Sequence, residues 1–131
     1  MLNDPVSDFL TRIRNANMVF KPEVECPSSK MKEAIARIME REGFIKGYRV
    51  RKSGKKNFIT VYLKYLDGRK RVITHLEQVS KPSRRIYIGK KEIPKVLNNL
   101  GICILSTSKG IYTGEEARKL GVGGEVICYI W

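Results

Sequence analysis

The sequence predicts an α+β chain of two small domains. An N-terminal helix–strand–helix–hairpin unit precedes a strand-rich unit with short helices. Three observations point there. Two segments with helical apolar spacing lie before Gly43. After Gly43, β-branched and aromatic runs alternate with Gly, Pro and Asp turns. Asp67-Gly68 then marks a boundary, giving domains 1–66 and 67–131. A chain of 131 residues allows modest cores only.

Each element has its own signal. In NDPVSDFLTRIRNA, Asp4 is a cap candidate and Pro5 suits a first turn; Val6, Phe9, Leu10 and Ile13 form one apolar face. EVEC alternates like a strand and stops at Pro27. A second helix is capped by Ser28 or Ser29, carries the stripe Met31, Ala34, Ile35, Ile38 and Met39, and ends at Gly43. Lys30 and Lys32 fall in its first turn, where the helix dipole opposes positive charge; an external phosphate and chance are both open explanations. FIKGYRVR and NFITVYLKYL read as strands joined by the basic tip KSGKK. VITHLEQV is a further strand candidate, broken at Lys81-Pro82-Ser83.

In RRIYIG, Ile86 and Ile88 face one side and Arg85 and Tyr87 the other. An outward tyrosine beside an arginine suits base stacking and phosphate contact, or simply covers a sheet edge. EIPKVLNNLG predicts a short helix stopped at Gly101, and ICILSTS a strand. Thr113 and Glu116 make a capping box for a brief helix ending at Gly121. After the glycine turn GVGGE, VICYIW is the last strand.

Charge is unevenly placed. The chain has 26 Lys plus Arg against 13 Asp plus Glu, a formal charge of +13. Residues 43–95 hold 16 basic and 3 acidic residues, whereas the flanking segments are balanced. That concentration predicts a polyanion-binding face, with nucleic acid first and an anionic membrane surface second. No run approaches 18 apolar residues, so no membrane span is expected, and MLNDPVSDFL does not read as a signal peptide. Cys26, Cys103 and Cys128 fit neither a disulfide framework nor a zinc pattern and suggest core thiols in a reducing cytoplasm.

Enzymatic chemistry finds no support. His75 is the one histidine, the basic segment offers only Asp67, Glu77 and Glu92, and no phosphate-binding glycine loop occurs. No cofactor or metal is expected. A binding protein is the better reading, ahead of an RNA-acting enzyme, a scaffold for an acidic protein, or a general single-strand binder. No long basic helix or zinc finger is present to read DNA. Hydroxyls, glycine backbone and an exposed tyrosine are tools for RNA, since Ser and Thr both donate to and accept from base edges and the 2′-OH.

The run GICILSTSKGIYTGEEARKLGVGGEVICYIW resembles the C-terminal signature of the bacterial small-subunit ribosomal protein eight family. Gly101, Ile104-Leu105, Ser106-Thr107, Gly110 and Ala117-Arg118-Lys119 carry it. DPVSDFLTRIRNA, REGFIKGY, SKPSRRIYIG and EIP resemble the family's remaining segments, so the resemblance covers nearly the whole chain. Tyr112 and Gly114 depart from its usual residues, a smaller aliphatic and an aspartate.

The resemblance implies a cytoplasmic, structural constituent of the small ribosomal subunit. Such a protein binds the central domain of small-subunit ribosomal RNA directly, at an irregular helix, and supports assembly beside neighbouring small-subunit ribosomal proteins. Some members also bind their own messenger RNA. The implied RNA-binding residues are Ser106, Thr107 and Ser108 with Tyr87, Gly123, Gly124 and Glu125, and Lys30 and Lys55 for backbone contacts.

Overall fold

A computed structural model describes residues 5–67, 69–93 and 101–131. The Asp4 cap, the turn at Gly68 and most of the helix expected in EIPKVLNNLG lie outside the described residues. The chain forms two compact units, Pro5–Ile73 and Thr74–Trp131. Of the strand expected in VITHLEQV, only Leu76–Gln78 is a strand, and Val72-Ile73 stays with the N-terminal unit. Asn17 Nδ2 donates to the Ile73 carbonyl at 2.8 Å, which ties that end to the N-terminal unit.

In the N-terminal unit, α1 (Pro5–Met18) and α2 (Lys30–Arg41) accompany a three-stranded antiparallel sheet. Its strands are β1 (Glu23–Pro27), β2 (Ile45–Ser53) and β3 (Lys56–Leu63), with β3 central. Phe9, Leu10 and Ile13 of α1 are buried, as their spacing predicts. Ile35, Ile38 and Met39 of α2 and Ile59, Val61 and Leu63 of β3 are buried as well. A short hairpin, β4 (Tyr65–Leu66) with β5 (Lys70–Arg71), completes the unit.

The apolar stripe of α2 differs from expectation at its start. Met31 is exposed, while Lys32 is only 3% exposed. Ser29 is the cap, its hydroxyl accepting from the Lys32 N–H. The Lys32 side chain turns inward because its ammonium donates to the Pro27 carbonyl at 2.5 Å. It also lies 3.9 Å from Cys26 Sγ and 5.9 Å from the centre of the Phe9 ring. The charge on Lys32 therefore has an internal partner and needs no external phosphate.

The C-terminal unit is a five-stranded antiparallel sheet. β10 (Gly124–Ile130) pairs β8 (Ile102–Thr107) on one side, and β8 pairs β9 (Gly110–Thr113). Along its other side β10 takes two short strands, β6 (Leu76–Gln78) and β7 (Tyr87–Ile88). A bulge between Val126 and Cys128 shifts the β8–β10 register. α3 (Gly114–Leu120) opens on the Thr113–Glu116 capping box and ends at Gly121 with φ 71°. Ala117 packs with Ile93, Cys103, Leu105 and Val126. His75 stacks on Trp131 at 4.0 Å between ring centres and lies 3.2 Å from a Glu77 carboxylate oxygen.

All three cysteines are buried and unbridged. Burial pushes the Cys103 thiol up to about 11, against the opposing pulls of the Gly114 N–H and the Arg118 cation. Burial also pushes the Cys128 thiol far up. Two expectations follow from this packing. Lys32→Ala removes three buried methylenes and the donor to Pro27, so unfolding free energy should fall by about 2–3 kcal/mol in a urea titration. In alkali, thiols of the unfolded chain ionise near pH 9 while those of the fold stay protonated. The unfolded state then binds fewer protons, and stability falls as pH rises. The urea midpoint should drop between pH 8 and 10. Cys103→Ala should give a shallower decline over the same range.

Candidate nucleic-acid interface

Three strands of the C-terminal sheet converge at Gly123 and Gly124. A Cβ on Gly123 would lie 2.2 Å from the Ile88 carbonyl oxygen, and one on Gly124 2.3 Å from the Ser106 carbonyl oxygen. Both obstacles are backbone, so any side chain here would force strands apart. The glycines thus serve the approach of β7, β10 and β8 to one another.

This approach sets a cross-strand row. Tyr87 is opposite Glu125, Glu125 opposite Ser106, and Ser106 opposite Ile111. Directly opposed residues share a face of an antiparallel sheet. The next pair, Val126 with Leu105, points to the other face, into the core with Ala117. The row therefore lies on the face away from that core. Tyr87 is 69% exposed, whereas Ile88 and Ile86 pack inward, as the alternation in RRIYIG predicts.

Glu125 puts a carboxylate in the middle of the row. Arg85 neutralises it: Nη1 donates to a Glu125 oxygen at 3.0 Å, and the carboxylate side chain is only 17% exposed. A half-buried ion pair of this kind resists salt better than an exposed one.

The three hydroxyls divide by role. Thr107 and Gly110 are paired, so Ser108-Lys109 forms a two-residue turn. Thr107 Oγ1 donates to the Gly110 carbonyl at 2.8 Å and accepts from the Lys109 N–H at 3.1 Å. Its proton is engaged inside the turn, which leaves one acceptor lone pair. Ser106 is half-buried and Ser108 exposed, and neither hydroxyl bonds to another described residue. Tyr112 braces the turn, with its hydroxyl donating to the Lys109 carbonyl at 3.3 Å and its ring against Gly110, whose φ is 132°.

Sequence reasoning did not identify Arg85 as the partner of Glu125 or Tyr112 as a brace. Arg85 could have been sought from its position two residues before Tyr87, on the same side. Tyr112 gave no sequence signal, because its role depends on the β8–β9 register.

Lys30 and Lys55 belong to the N-terminal unit. Lys30 is the first residue of α2 and is exposed. Lys55 occupies the turn between paired Ser53 and Lys56, beside Gly54 at φ 64°. Pro27 is opposite Phe58, which brings the start of α2 toward the same end of β3 as Lys55. Among the described residues, no group of three His, Cys, Asp or Glu could hold a metal ion, and no helix is long and apolar enough to cross a membrane.

The family described as Ribosomal protein S8 matches residues 4–131. The Small ribosomal subunit protein uS8 of Desulforudis audaxviator is 57% identical over 131 residues, covering all of both chains. Those of Syntrophomonas wolfei and Clostridioides difficile are each 55% identical, over 131 and 130 residues, with at least 98% of either chain covered. A match of this length, collinear with both units of the fold, places the chain in the ribosomal protein S8 family, whose members are structural proteins and not enzymes.

Proposed function

We propose that this structural ribosomal protein binds the central domain of small-subunit ribosomal RNA directly, through the C-terminal row and its adjoining turn. The observation that carries the reading is the row Tyr87–Glu125–Ser106 beside the free hydroxyl of Ser108. An exposed ring offers a stacking surface for a displaced base. Neutral hydroxyls of fixed geometry reward one arrangement of base edges and 2′-OH groups, where lysines would attract any phosphate. Thr107, Gly123 and Gly124 hold the backbone that presents them. Glu125, with one oxygen on Arg85, is a neutralised acceptor for a base amino group.

Lys30 and Lys55 add sequence-independent backbone contacts from the N-terminal unit. Binding of this kind supports assembly, with neighbouring small-subunit ribosomal proteins joining the folded RNA. A segment of the protein's own messenger RNA with the same helix shape would compete for the same surface.

Filter binding to a central-domain ribosomal RNA fragment, with a regular duplex of equal length as control, tests the reading. Strong preference that persists as salt rises supports it; equal affinities that collapse together refute it. Ser108→Ala should lose on the order of 0.5–1.5 kcal/mol per hydrogen bond removed, for the cognate fragment alone. Lys55→Ala should weaken both RNAs and flatten the salt slope by about one unit per phosphate contact. Gly124→Ala should abolish the preference and also lower the melting temperature, since its Cβ meets backbone.

A further inference from the structure

β1 has one edge paired to β3 and one edge that no described strand takes. The register tells which of its peptide groups are occupied. Leu63 donates its N–H to the Pro22 carbonyl, and Ser28 donates to the Asn57 carbonyl. Hydrogen-bonded pairs alternate along an antiparallel ladder, so Val24 and Cys26 also bond to β3, while Glu23 and Glu25 turn their N–H and C=O outward. The Glu25 carbonyl accepts a long contact, 3.4 Å, from Arg12 Nη1. The Glu23 N–H, the Glu23 carbonyl and the Glu25 N–H have no partner among the described residues.

These groups open on a groove of about 450 Å³ between β1 and α1. Ala16, Val19 and Val24 give it an apolar wall, and Val19 is 62% exposed. The two faces beside the edge differ. Glu23 and Glu25 are opposite Tyr62 and Thr60, on one face, and Val24 is opposite buried Val61, on the other. The Glu25 carboxylate accepts from Thr60 Oγ1 at 3.1 Å and from Arg51 Nη2 at 3.4 Å. The Glu23 side chain is exposed and forms no hydrogen bond or ion pair with another described residue.

We propose that this groove docks an extended segment of a neighbouring small-subunit protein, which adds a strand to the free edge of β1 and sets a Lys or Arg opposite Glu23. Strand addition satisfies outward peptide groups with main-chain bonds, and alternate side chains supply specificity. Here one set of side chains meets Ala16, Val19 and Val24, and the other meets the two carboxylates. Pro22 and Pro27 bound the edge, so the added strand is short. RNA fits the groove poorly. Its lining holds Arg12 and Lys21 against Glu23 and Glu25, with no net charge, in a chain of +13. A phosphodiester also has no donor for the Glu23 carbonyl. A second copy fits no better, because antiparallel pairing through the outward residues would oppose carboxylate to carboxylate. The inference takes from family membership only that neighbouring proteins are present, and it does not depend on the RNA-binding reading.

The experiment uses small subunits reconstituted with the full chain and followed by hydrogen exchange. In the free chain the Glu23 and Glu25 amides should exchange at near-unprotected rates and that of Val24 slowly. In the subunit both outward amides should slow at least tenfold; free-chain rates at both overturn the docked strand. A photo-crosslinker at Val19 in the same particles should attach to a protein, within a segment where apolar residues alternate and a Lys or Arg is present. Attachment to RNA or to a second copy overturns the proposal. Glu23→Lys should lower the crosslink yield several-fold and Glu23→Gln about twofold, with the melting temperature of the free chain unchanged. Wild-type yield in Glu23→Lys overturns the cationic occupant. Glu25→Pro removes an outward N–H and leaves the bonds to β3 in place, whereas Glu25→Gln keeps that N–H. The proline variant should crosslink several-fold less than the glutamine variant; equal yields overturn main-chain pairing.

Discussion

The close approach of three backbones at Gly123 and Gly124 is the constraint on which the candidate surface depends. With no Cβ to keep them apart, β7 and β8 both come against the start of β10. Tyr87, Glu125 and Ser106 come from three separate strands and fall into one row as a result. A row built on paired strands is held more firmly than one built on loops, because ladder hydrogen bonds and the Leu105–Val126 core layer behind it fix its spacing. Shape recognition needs that rigidity, since hydroxyl contacts are individually weak and distinguish partners only when their geometry is fixed.

The same logic explains why three consecutive hydroxyls are not equivalent. Thr107 holds the turn from within, and Tyr112 braces it from the adjacent strand. Ser106 and Ser108 are left with open hydrogen-bonding capacity. A turn that is already closed in the free protein loses little conformational entropy on binding, which favours affinity without additional charge.

The proposed binding divides attraction and selection between the two units. The N-terminal unit carries exposed lysines and arginines at both ends of its sheet, and the one cation buried among its described residues, Lys32, is satisfied internally. The C-terminal row is close to neutral, because Arg85 cancels Glu125. Long-range electrostatics steers a polyanion toward the protein but does not discriminate among RNAs. Discrimination requires short-range contacts, and a strongly cationic row would weaken it by rewarding any phosphate.

The sequence by itself determined much of this. Period-3.6 spacing located α1 and α2, the capping box located α3, and alternation in RRIYIG placed Tyr87 outward and its isoleucines inward. These features are local, each needing only a few neighbouring residues and simple periodicity. The sequence left open what offsets the charge of Lys32 in the first turn of α2, because a buried lysine is legible only once its carbonyl partner, five residues away, has been folded against it. The role of Thr107, the Arg85–Glu125 pair and the outward peptide groups of Glu23 and Glu25 were decided by tertiary structure alone. Each depends on strand register or on residues up to 40 positions apart. Register is set by the collective packing of a sheet, and no local sequence pattern encodes which side chain will stand opposite another.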